Sequence, residues 1–421
     1  MTAARAEAPV EQLAPGRRPR LFLGLHTDDR AVSLDAHLRR FGAVTPRRDL
    51  VAAVEASGLR GRGGGGFPVA RKLQAVASAR GKSIVVANGA EGEPASGKDK
   101  ALLRFNPHLV LDGIAAAAGA VGADLGIVTV SERAVVERSR VETALEERRR
   151  ARIDRIPIRL HTVPEAFVTG EETALLRAIA GRPAKPTTKP PYPFQRGLQN
   201  RPTLVQNVET LAHLALIARF GPTWFRQAGD DDAPGTALIT LSGAVARPGV
   251  HEIELGGLLG DVVDQCGGTS APVSAFLVGG YFGGWVDASE AATLRLTADT
   301  MGAGAIVAFP ESACAVAESE RVLAYLAGQS AGQCGPCVHG LAAIADGFGR
   351  LARGGHDVGV PELERFGALV TRRGACSHPD GSARFLASAL HVFAHELELH
   401  ARSGRCGKQA RQILPLPKAA R

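Results

Sequence analysis

Short apolar runs alternate with longer amphipathic stretches through the first half of the chain. The runs at Ser83–Ala87, Gly126–Val130 and Ile156–Thr162 are typical of buried parallel strands. Capped or amphipathic stretches around them predict helices at Arg47–Ala56, Pro68 to about Arg80, Pro107–Val121, Ser131–Arg150 and Gln206–Ala218. This alternation predicts an α/β fold built on a parallel sheet.

The pattern changes after Gly229–Gly235, which we interpret as a linker. Turn-bounded runs then predict a small mixed α/β domain with strands at Ala237–Ser242, Gly249–Ile253, Ala275–Val278 and Ala305–Phe309. From Ser312 to about residue 402 the apolar spacing is helical, with breaks at a cysteine loop and at Gly354–Val360. We therefore expect a disordered lead-in over 1–20, an α/β domain over 21–235, the small domain over 236–310, a helical bundle over 311–403 and a loose basic tail over 404–421.

The charge, hydrophobicity and cysteine count of the chain bear on three classes: nucleic-acid-binding, membrane-inserted and disulfide-rich proteins. The chain has 421 residues with a net charge of +8, but the basic residues are scattered and no nucleic-acid motif accompanies them. The most apolar stretch, Leu109–Val130, is broken by Asp112 and Asp124, so we expect no direct membrane insertion. Six cysteines and a polar lead-in favour a cytoplasmic protein that uses cysteine for metal or redox chemistry. The sequence therefore excludes nucleic-acid binding and a disulfide scaffold.

A glycine-rich loop, Gly61–Pro68, contains four successive glycines at Gly63–Gly66. Such a run can turn consecutive backbone N–H groups toward one anion, and the next helix adds its positive N-terminus. Lys72 lies one turn into that helix. The loop suits a flavin ribityl phosphate or a nucleotide pyrophosphate. It follows a helix rather than a strand, unlike the common dinucleotide motif, and a flexible surface loop is the alternative interpretation.

Two acidic loops leave the carboxyl ends of predicted strands. Asn88–Pro94 follows Ser83–Ala87, and Gly170–Thr173 lies beyond Ile156–Thr162. Carboxylates and amides at such positions can accept hydrogen bonds from ribityl or ribose hydroxyls, and this edge is where α/β sheets usually bind ligands. The alternative is that Glu171 and Glu172 only favour the positive end of the helix that they open.

Together, these segments resemble one known family. Arg60–Pro68, Asn88–Pro94, Gly170–Leu175, Lys189–Pro191 and Asn207–Thr210 occur in the order found in the NADH-oxidising flavoprotein subunit of respiratory complex I. The family includes relatives in NAD-linked hydrogenases and formate dehydrogenases, and the resemblance spans roughly residues 45–400.

The resemblance implies a Rossmann-like flavin/NADH domain, a β-grasp domain of the soluble-ligand-binding type and a helical iron–sulfur bundle. Hydride would pass from NADH to FMN, and single electrons would pass to an iron–sulfur centre and a ferredoxin-like or iron–sulfur partner subunit. No side chain would act as a catalytic acid or base. The implied cofactor residues are Gly63, Gly64, Gly65, Gly66, Lys72, Asn88, Glu91, Gly170 and Asn207 for FMN, Phe67, Glu93, Glu172 and Lys189 for NADH, and Glu171 in the cofactor site as a whole. The protein would be cytoplasmic or peripheral to a membrane complex.

The chain departs from the family pattern at several positions. Ala90 stands where Asp is usual, Phe167 where Tyr is usual, Gln206 replaces an Asn, and Ala75 replaces an aromatic residue. We expect these changes to weaken or retune the nucleotide site more than the flavin site. Each lost polar contact costs about 1 kcal/mol of binding free energy.

The iron–sulfur motif is incomplete. The remaining cysteines of the motif are Cys334, Cys337 and Cys376, and Ala331 occupies the position of the first ligand. A [4Fe–4S] cluster takes four ligands. His339 or His378, a partner or a small molecule could supply the fourth, or the centre could be [3Fe–4S], zinc or empty. Cys266, Cys314 and Cys406 carry no motif and are expected to be core or tail cysteines.

These departures leave two alternatives to an electron-transfer subunit. One is a degenerate, non-catalytic structural or regulatory subunit of a redox complex. The other is a scaffold whose metal has only a structural role. The retained glycine loop, Glu171, Glu172 and Lys189 argue against complete loss of the cofactor site.

Overall fold

The computed structural model describes residues 10–11, 20–22, 31–44, 47, 49–355 and 357–417. The helices are α1 Leu34–Phe41, α2 Leu50–Ser57, α3 Val69–Ala77, α4 Lys98–Phe105, α5 Pro107–Val121, α6 Val135–Ala151, α7 Glu172–Ile179, α8 Val208–Phe225, α9 Leu259–Gln265, α10 Ala288–Ala291, α11 Ala315–Gly328, α12 Ala342–Ala352, α13 Val360–Val370, α14 His378–Val392 and α15 Ala394–Ser403. The strands are β1 Val10–Glu11, β2 Ser83–Gly89, β3 Ala123–Ser131, β4 Ile158–Val163, β5 Thr203–Asn207, β6 Thr236–Gly243, β7 Gly249–Glu254, β8 Val273–Val278, β9 Gly284–Asp287 and β10 Ala305–Pro310.

A four-stranded parallel sheet organises the first half in the order β4-β3-β2-β5. The chain moves outward from β2 to β3 and β4, then returns to pair β5 with the other side of β2. This reversal creates a topological switch point between β2 and β5, where α/β sheets commonly bind ligands. The crevice therefore forms at the carboxyl ends of these two strands.

Helices cover both faces of this sheet. Val85 and Ala87 of β2 pack in one cluster with α3, α5 and α8, whereas Ile84 and Val86 point to a second cluster that includes α7. Strands buried on both faces have continuous apolar runs, as Ser83–Ala87 does. The predicted α/β class is confirmed.

The second sheet is mixed and six-stranded, in the order β1-β7-β6-β10-β8-β9. One face packs on α9 through Ile239 and Val262. The other face joins the helical bundle, because Leu277 and Val307 share a cluster with Phe385 of α14. A small β-grasp-like sheet therefore lies between α9 and the helical bundle.

Three features differ from the sequence expectations. The chain forms β5, β9 and α4, which the pattern did not predict. The tail is not loose over its described part, because Leu414 is 2% exposed and its N–H donates to the Glu318 carboxylate at 3.0 Å. Most of the predicted disordered lead-in lies outside the described residues, although Val10–Glu11 pairs in parallel with β7. The domain boundaries stay predictions.

No helix in the described ranges combines the length and apolar character needed to cross a membrane.

Candidate cofactor and iron–sulfur sites

The glycine-rich loop is a short closed turn between α2 and α3. The Gly61 N–H donates to the Phe67 carbonyl at 2.9 Å and closes its base. Gly64 and Gly66 have φ angles of 101° and 54°, which glycine adopts without strain. No atom of another described residue lies within 4 Å of a Cβ built on Gly65, so the tip is open backbone. This surface leads directly into the N-terminus of α3, where an anion is favoured.

Two asparagines face each other across the switch point. Asn88 and Asn207 are Cα partners at the ends of β2 and β5. Asn88 Nδ2 donates to the Gly170 carbonyl at 2.9 Å, and Asn207 caps α8. A Cβ on Gly63 would lie 3.1 Å from Asn207 Cβ, so the glycine loop packs against this strand end. The glycine loop and both acidic loops therefore meet at one crevice.

Two lysines converge on Glu172 at the edge of the crevice. Lys72 Nζ lies 2.9 Å from Glu172 Oε2, and Lys189 Nζ lies 2.7 Å from Glu172 Oε1 and 3.0 Å from Glu171 Oε1. Burial alone would raise the pKa of Glu172, but the two ammonium groups hold it below its usual value. These side chains form an ionised, partly exposed wall that can bind polar groups of a nucleotide.

Glu91 and Glu93, both expected around the cofactors, are engaged by the protein itself. The Glu91 carboxylate accepts from the N–H groups of Asp99 and Lys100 at 3.0 Å each, which caps α4. Glu93 accepts from the Tyr281 N–H at 2.8 Å, and burial raises its pKa to about 7. Glu91 thus fixes a helix, and Glu93 joins the flavin-type domain to the second sheet.

A buried charge network lies behind the crevice, and sequence reasoning missed it. Lys98 Nζ is 2.7 Å from Asp99 Oδ1 and 2.8 Å from Glu209 Oε2, with all three residues at most 5% exposed. Asp99 also accepts from Asn207 Nδ2 at 2.6 Å. Burial would raise the pKa of Glu209, but Lys98 and His213 lower it to about 2. The network holds Asn207 in place at the strand end.

The predicted metal cysteines surround a π-helical turn. Cys334 and Cys337 flank the start of Pro336–Leu341, and Cys376 lies just before α14. Burial raises the pKa of Cys337 to about 12, and the neighbouring Cys334 and Cys376 thiols contribute in the same direction. A bound metal would favour the deprotonated, metal-binding form of Cys337.

The cysteine loop is joined to the crevice. Gln333 Nε2 donates to the Pro186 carbonyl at 2.9 Å, and three residues later Lys189 reaches Glu171 and Glu172. Burial raises the pKa of the Cys376 thiol, the Glu171 carboxylate adds to the rise, and the Lys189 ammonium group opposes it. The two sites are therefore neighbours.

Comparison with known proteins decides the family. Residues 54–216 match the Nuo51 FMN-binding domain, and residues 290–400 match the NADH-ubiquinone oxidoreductase-F iron–sulfur binding region. The F 2 subunit of NADH-quinone oxidoreductase from Rhizobium meliloti (strain 1021) is 32% identical over 388 residues, which cover 87% of this chain and 92% of that protein. The chain belongs to the family of NADH-oxidising subunits that bind FMN and an iron–sulfur cluster.

Other members of this family are hydrogenase subunits. The NADP-reducing hydrogenase subunit HndC of Solidesulfovibrio fructosivorans is 30% identical over 85% of this chain and 77% of its own length. A crystal structure of air-oxidised NAD+-reducing [NiFe]-hydrogenase superposes with a TM-score of 0.79 at 30% identity. That match covers 87% of this chain but only 64% of the hydrogenase chain.

The positions that depart from the family pattern are packed as apolar or buried residues. Ala90 lies in the hydrophobic cluster between β2 and α7. Phe167 makes an edge contact with Phe282, with ring centroids 4.7 Å apart. Apolar packing therefore fills the places where the family usually has a hydroxyl and a carboxylate.

The crevice fits FMN. The Gly65 tip is open, and a Cβ on Gly170 would also meet no described residue within 4 Å. Two buried polar atoms beside the crevice, Thr169 Oγ1 and Gln206 Nε2, have no hydrogen-bond partner in the described part of the chain. Buried polar groups normally have partners, so these atoms suit a polar ligand.

The cysteine site fits an iron–sulfur cluster better than a single ion. Zinc draws its ligand atoms to within about 3.8 Å of one another, whereas a cluster spreads its thiolates over several irons. Among the described residues, Cys334, Cys337 and Cys376 do not form a group whose ligand atoms all lie within 4.8 Å. Three thiols are present, so the fourth position needs a different ligand.

The two histidines expected as alternatives differ in placement. His339 is exposed on the π-helical turn. His378 is buried, and its Nε2 bonds to the Leu326 carbonyl at 2.8 Å. Its Nδ1 has no partner among the described residues, so one nitrogen remains for a ligand. Ser330 also hydrogen-bonds Cys337, which places an oxygen beside the thiols.

Proposed function

We propose that this chain oxidises NADH on bound FMN and passes the electrons singly, through a three-cysteine iron–sulfur centre, to an iron–sulfur partner subunit. The observation that carries the proposal is the Pro186–Lys189 segment. Its Pro186 end accepts a hydrogen bond from Gln333 in the cysteine loop, and its Lys189 end pairs with Glu171 and Glu172 in the crevice. The hydride site and the one-electron site are therefore connected through this segment.

When bound, FMN supplies the conversion of a two-electron hydride into single electrons. The protein would position the FMN and the dinucleotide and supply the charges and dipoles that bind them. The Gly63–Gly66 loop and the α3 N-terminus would hold the phosphate, while Asn88 and Asn207 would hold the ribityl chain. Phe67 is 55% exposed beside the loop, so its ring offers a stacking surface for the dinucleotide.

No side chain of the crevice needs to exchange a proton in the hydride step. Lys72, Glu172 and Lys189 already satisfy one another, so their role is to orient polar groups of the dinucleotide. The names of the relatives point to a multisubunit assembly. We place the chain as a peripheral, cytoplasm-facing subunit that hands electrons to a ferredoxin-like or other iron–sulfur partner.

The test separates the hydride step from the one-electron step. Cys376→Ser should keep FMN and NADH-dependent flavin bleaching, but should lose cluster absorbance and transfer to a one-electron acceptor. Cys266→Ser, in the core of the second sheet, is the matched cysteine control and should keep both steps. If NADH does not bleach the flavin of wild-type protein reconstituted with FMN, that result would instead support a non-catalytic structural or regulatory subunit.

The three-ligand centre has its own test. Ala331→Cys restores a thiolate at the position where the family places its first ligand. We expect a higher iron content and slower cluster loss in air than in the wild type, because the new thiolate replaces a weaker ligand. Unchanged iron content and stability would show that the wild-type site already has a complete fourth ligand.

A further inference from the structure

The structure brings together three metal-binding side chains that the iron–sulfur site does not use. Cys314 is the N-cap of α11, His400 lies in the last turn of α15, and Cys406 lies in the tail beyond it. Their ligand atoms all lie within 4.8 Å of one another, and Cys314 Sγ is 3.3 Å from His400 Nε2. Cys314 and His400 are buried and Cys406 is half-buried. We propose that Cys314, His400 and Cys406 bind a structural zinc ion.

The imidazole is oriented for metal binding. His400 Nδ1 lies 2.6 Å from the Ala352 carbonyl, which can only accept a hydrogen bond. Nδ1 therefore carries the proton, and Nε2 presents its lone pair to Cys314. A backbone carbonyl bonded to the far nitrogen is the usual support of a metal-binding histidine.

The spacing matches one tetrahedral ion. Zinc–sulfur bonds of about 2.3 Å and zinc–nitrogen bonds of about 2.0 Å place sulfur and nitrogen ligands about 3.6 Å apart. Cys314 Sγ and His400 Nε2 lie 3.3 Å apart, and all three ligand atoms lie within 4.8 Å of one another. Small movements of the side chains would therefore bring them to zinc-binding distances. Two thiolates and one imidazole occur as a zinc ligand set in which a non-protein ligand fills the fourth position. The fourth coordination position is not assigned to a side chain.

The local charges suit a neutral zinc–dithiolate unit. Cys314 Sγ accepts from the Ala317 N–H at 3.4 Å, at the positive end of α11. Glu396 stands one turn before His400, but its oxygens accept from Ala315 N–H and Lys408 Nζ. Glu396 therefore holds α11 and the tail next to the site and does not bind the metal itself.

A zinc ion here would fasten the tail to the bundle. The tail already bridges Ser312–Cys314 through Gln409, whose carbonyl accepts from the Cys314 N–H at 2.8 Å. Further along, the Pro415 carbonyl accepts from Tyr281 Oη at 2.5 Å. The ion would therefore stabilise the tail where it contacts the bundle and Tyr281, and the Tyr281 N–H in turn donates to Glu93 of the flavin-type domain.

The decisive measurement is the zinc and iron content of untagged, full-length protein by elemental mass spectrometry. We expect one zinc per chain in the wild type and in Cys376→Ser, which loses iron only. Cys406→Ser and His400→Ala should lose zinc while they keep iron and flavin. Cys266→Ser should keep both metals.

Three results would overturn the proposal: no stoichiometric zinc, zinc that survives in Cys406→Ser, or zinc that disappears in Cys376→Ser. A disulfide between Cys314 and Cys406, seen as two alkylation-resistant thiols released only by reductant, would also contradict it. If the variants fail to fold, growth with cobalt keeps the test decisive. Tetrahedral cobalt–thiolate absorption in wild-type and Cys376→Ser protein supports the site, and its absence contradicts it.

Discussion

At the residue scale, the open tip of the glycine loop is the most direct test of flavin binding. Gly65→Ala adds a methyl group that meets no neighbour within 4 Å in the part of the chain that the structure describes, and Gly65 does not have a positive φ. The apoprotein should therefore stay as stable as the wild type. FMN affinity should fall tenfold or more, about 1.4 kcal/mol, because the methyl group occupies the phosphate cradle.

Isothermal titration of FMN into the apoprotein measures this effect. Gly328→Ala is the matched control, since its Cβ also meets nothing within 4 Å but lies at the end of α11. Equal FMN affinity in Gly65→Ala and the wild type would move the flavin away from this loop.

Phe67 tests the dinucleotide surface. Because its side chain is 55% exposed, Phe67→Ala should change the unfolding free energy by no more than about 0.5 kcal/mol. The KM for NADH should rise several-fold while flavin content stays constant, since an aromatic stacking contact is lost. Phe220→Ala, also at an exposed ring, should leave the KM unchanged. A similar rise of the KM for NADH in both variants would contradict the assignment of Phe67 to NADH binding.

The sequence predicted the crevice residues but not all of their roles. Asn88, Gly170, Glu172 and Lys189 meet as the motif order suggested. The Lys98–Asp99–Glu209 network could not be predicted, because its members pair across 111 positions of the chain and each looks like a surface charge in sequence. The cofactor-binding roles of Asn88, Gly170, Glu172 and Lys189 stay predictions.

At the scale of elements, Glu91 distinguishes a helix cap from a ribityl ligand. Its carboxylate accepts two N–H groups of α4, so Glu91→Ala should lower the unfolding free energy of the apoprotein by about 1–2 kcal/mol. Chemical unfolding measures this loss. Glu55→Ala, at an exposed position of α2, should stay within about 0.5 kcal/mol of the wild type. Unchanged apoprotein stability with weakened FMN binding would favour the ligand role.

Long apolar elements were predictable, whereas short polar ones were not. The bounds of α5 were predicted to the residue, since Pro107 opens it and Gly122 closes it in a left-handed conformation. Strand β5 was missed because Gln206 and Asn207 end it with polar side chains that resemble a helix start. Helix α4 was missed because Lys98 and Asp99 look like exposed charges, yet both are buried.

At the scale of the whole molecule, Glu93 couples the flavin-type domain to the second sheet in a pH-dependent manner. Burial raises its pKa from 4.5 to about 7, although two backbone N–H groups oppose the shift. The protonated form is thus favoured by folding. Its contribution to stability is complete below pH 4.5 and is lost as the pH rises through about 7.

The comparison with Glu93→Gln isolates this group. From about pH 5 to about pH 8, the unfolding free energy of the wild type should fall relative to the variant by up to about 3 kcal/mol. Chemical unfolding of both proteins across this range measures the difference. A difference that does not change with pH would show that Glu93 keeps its ordinary pKa.

The order of the three large parts followed from the hydrophobic pattern and the resemblance, and the α/β class was confirmed. Contacts between distant segments did not follow from either. Cys314, His400 and Cys406 lie on three separate segments and carry no spacing motif, so only the folded chain brings them together. Cys314 lies in the core of the bundle and Cys406 in the tail, as the sequence predicted, but their convergence with His400 was not predicted.

The most direct test of the central claim is the anaerobic visible spectrum of the purified holoprotein before and after addition of NADH. Our account predicts that the flavin bands bleach and that iron–sulfur absorbance falls with them. In Cys376→Ser only the flavin should respond. A protein that holds both cofactors, yet shows no change with NADH, would contradict the account.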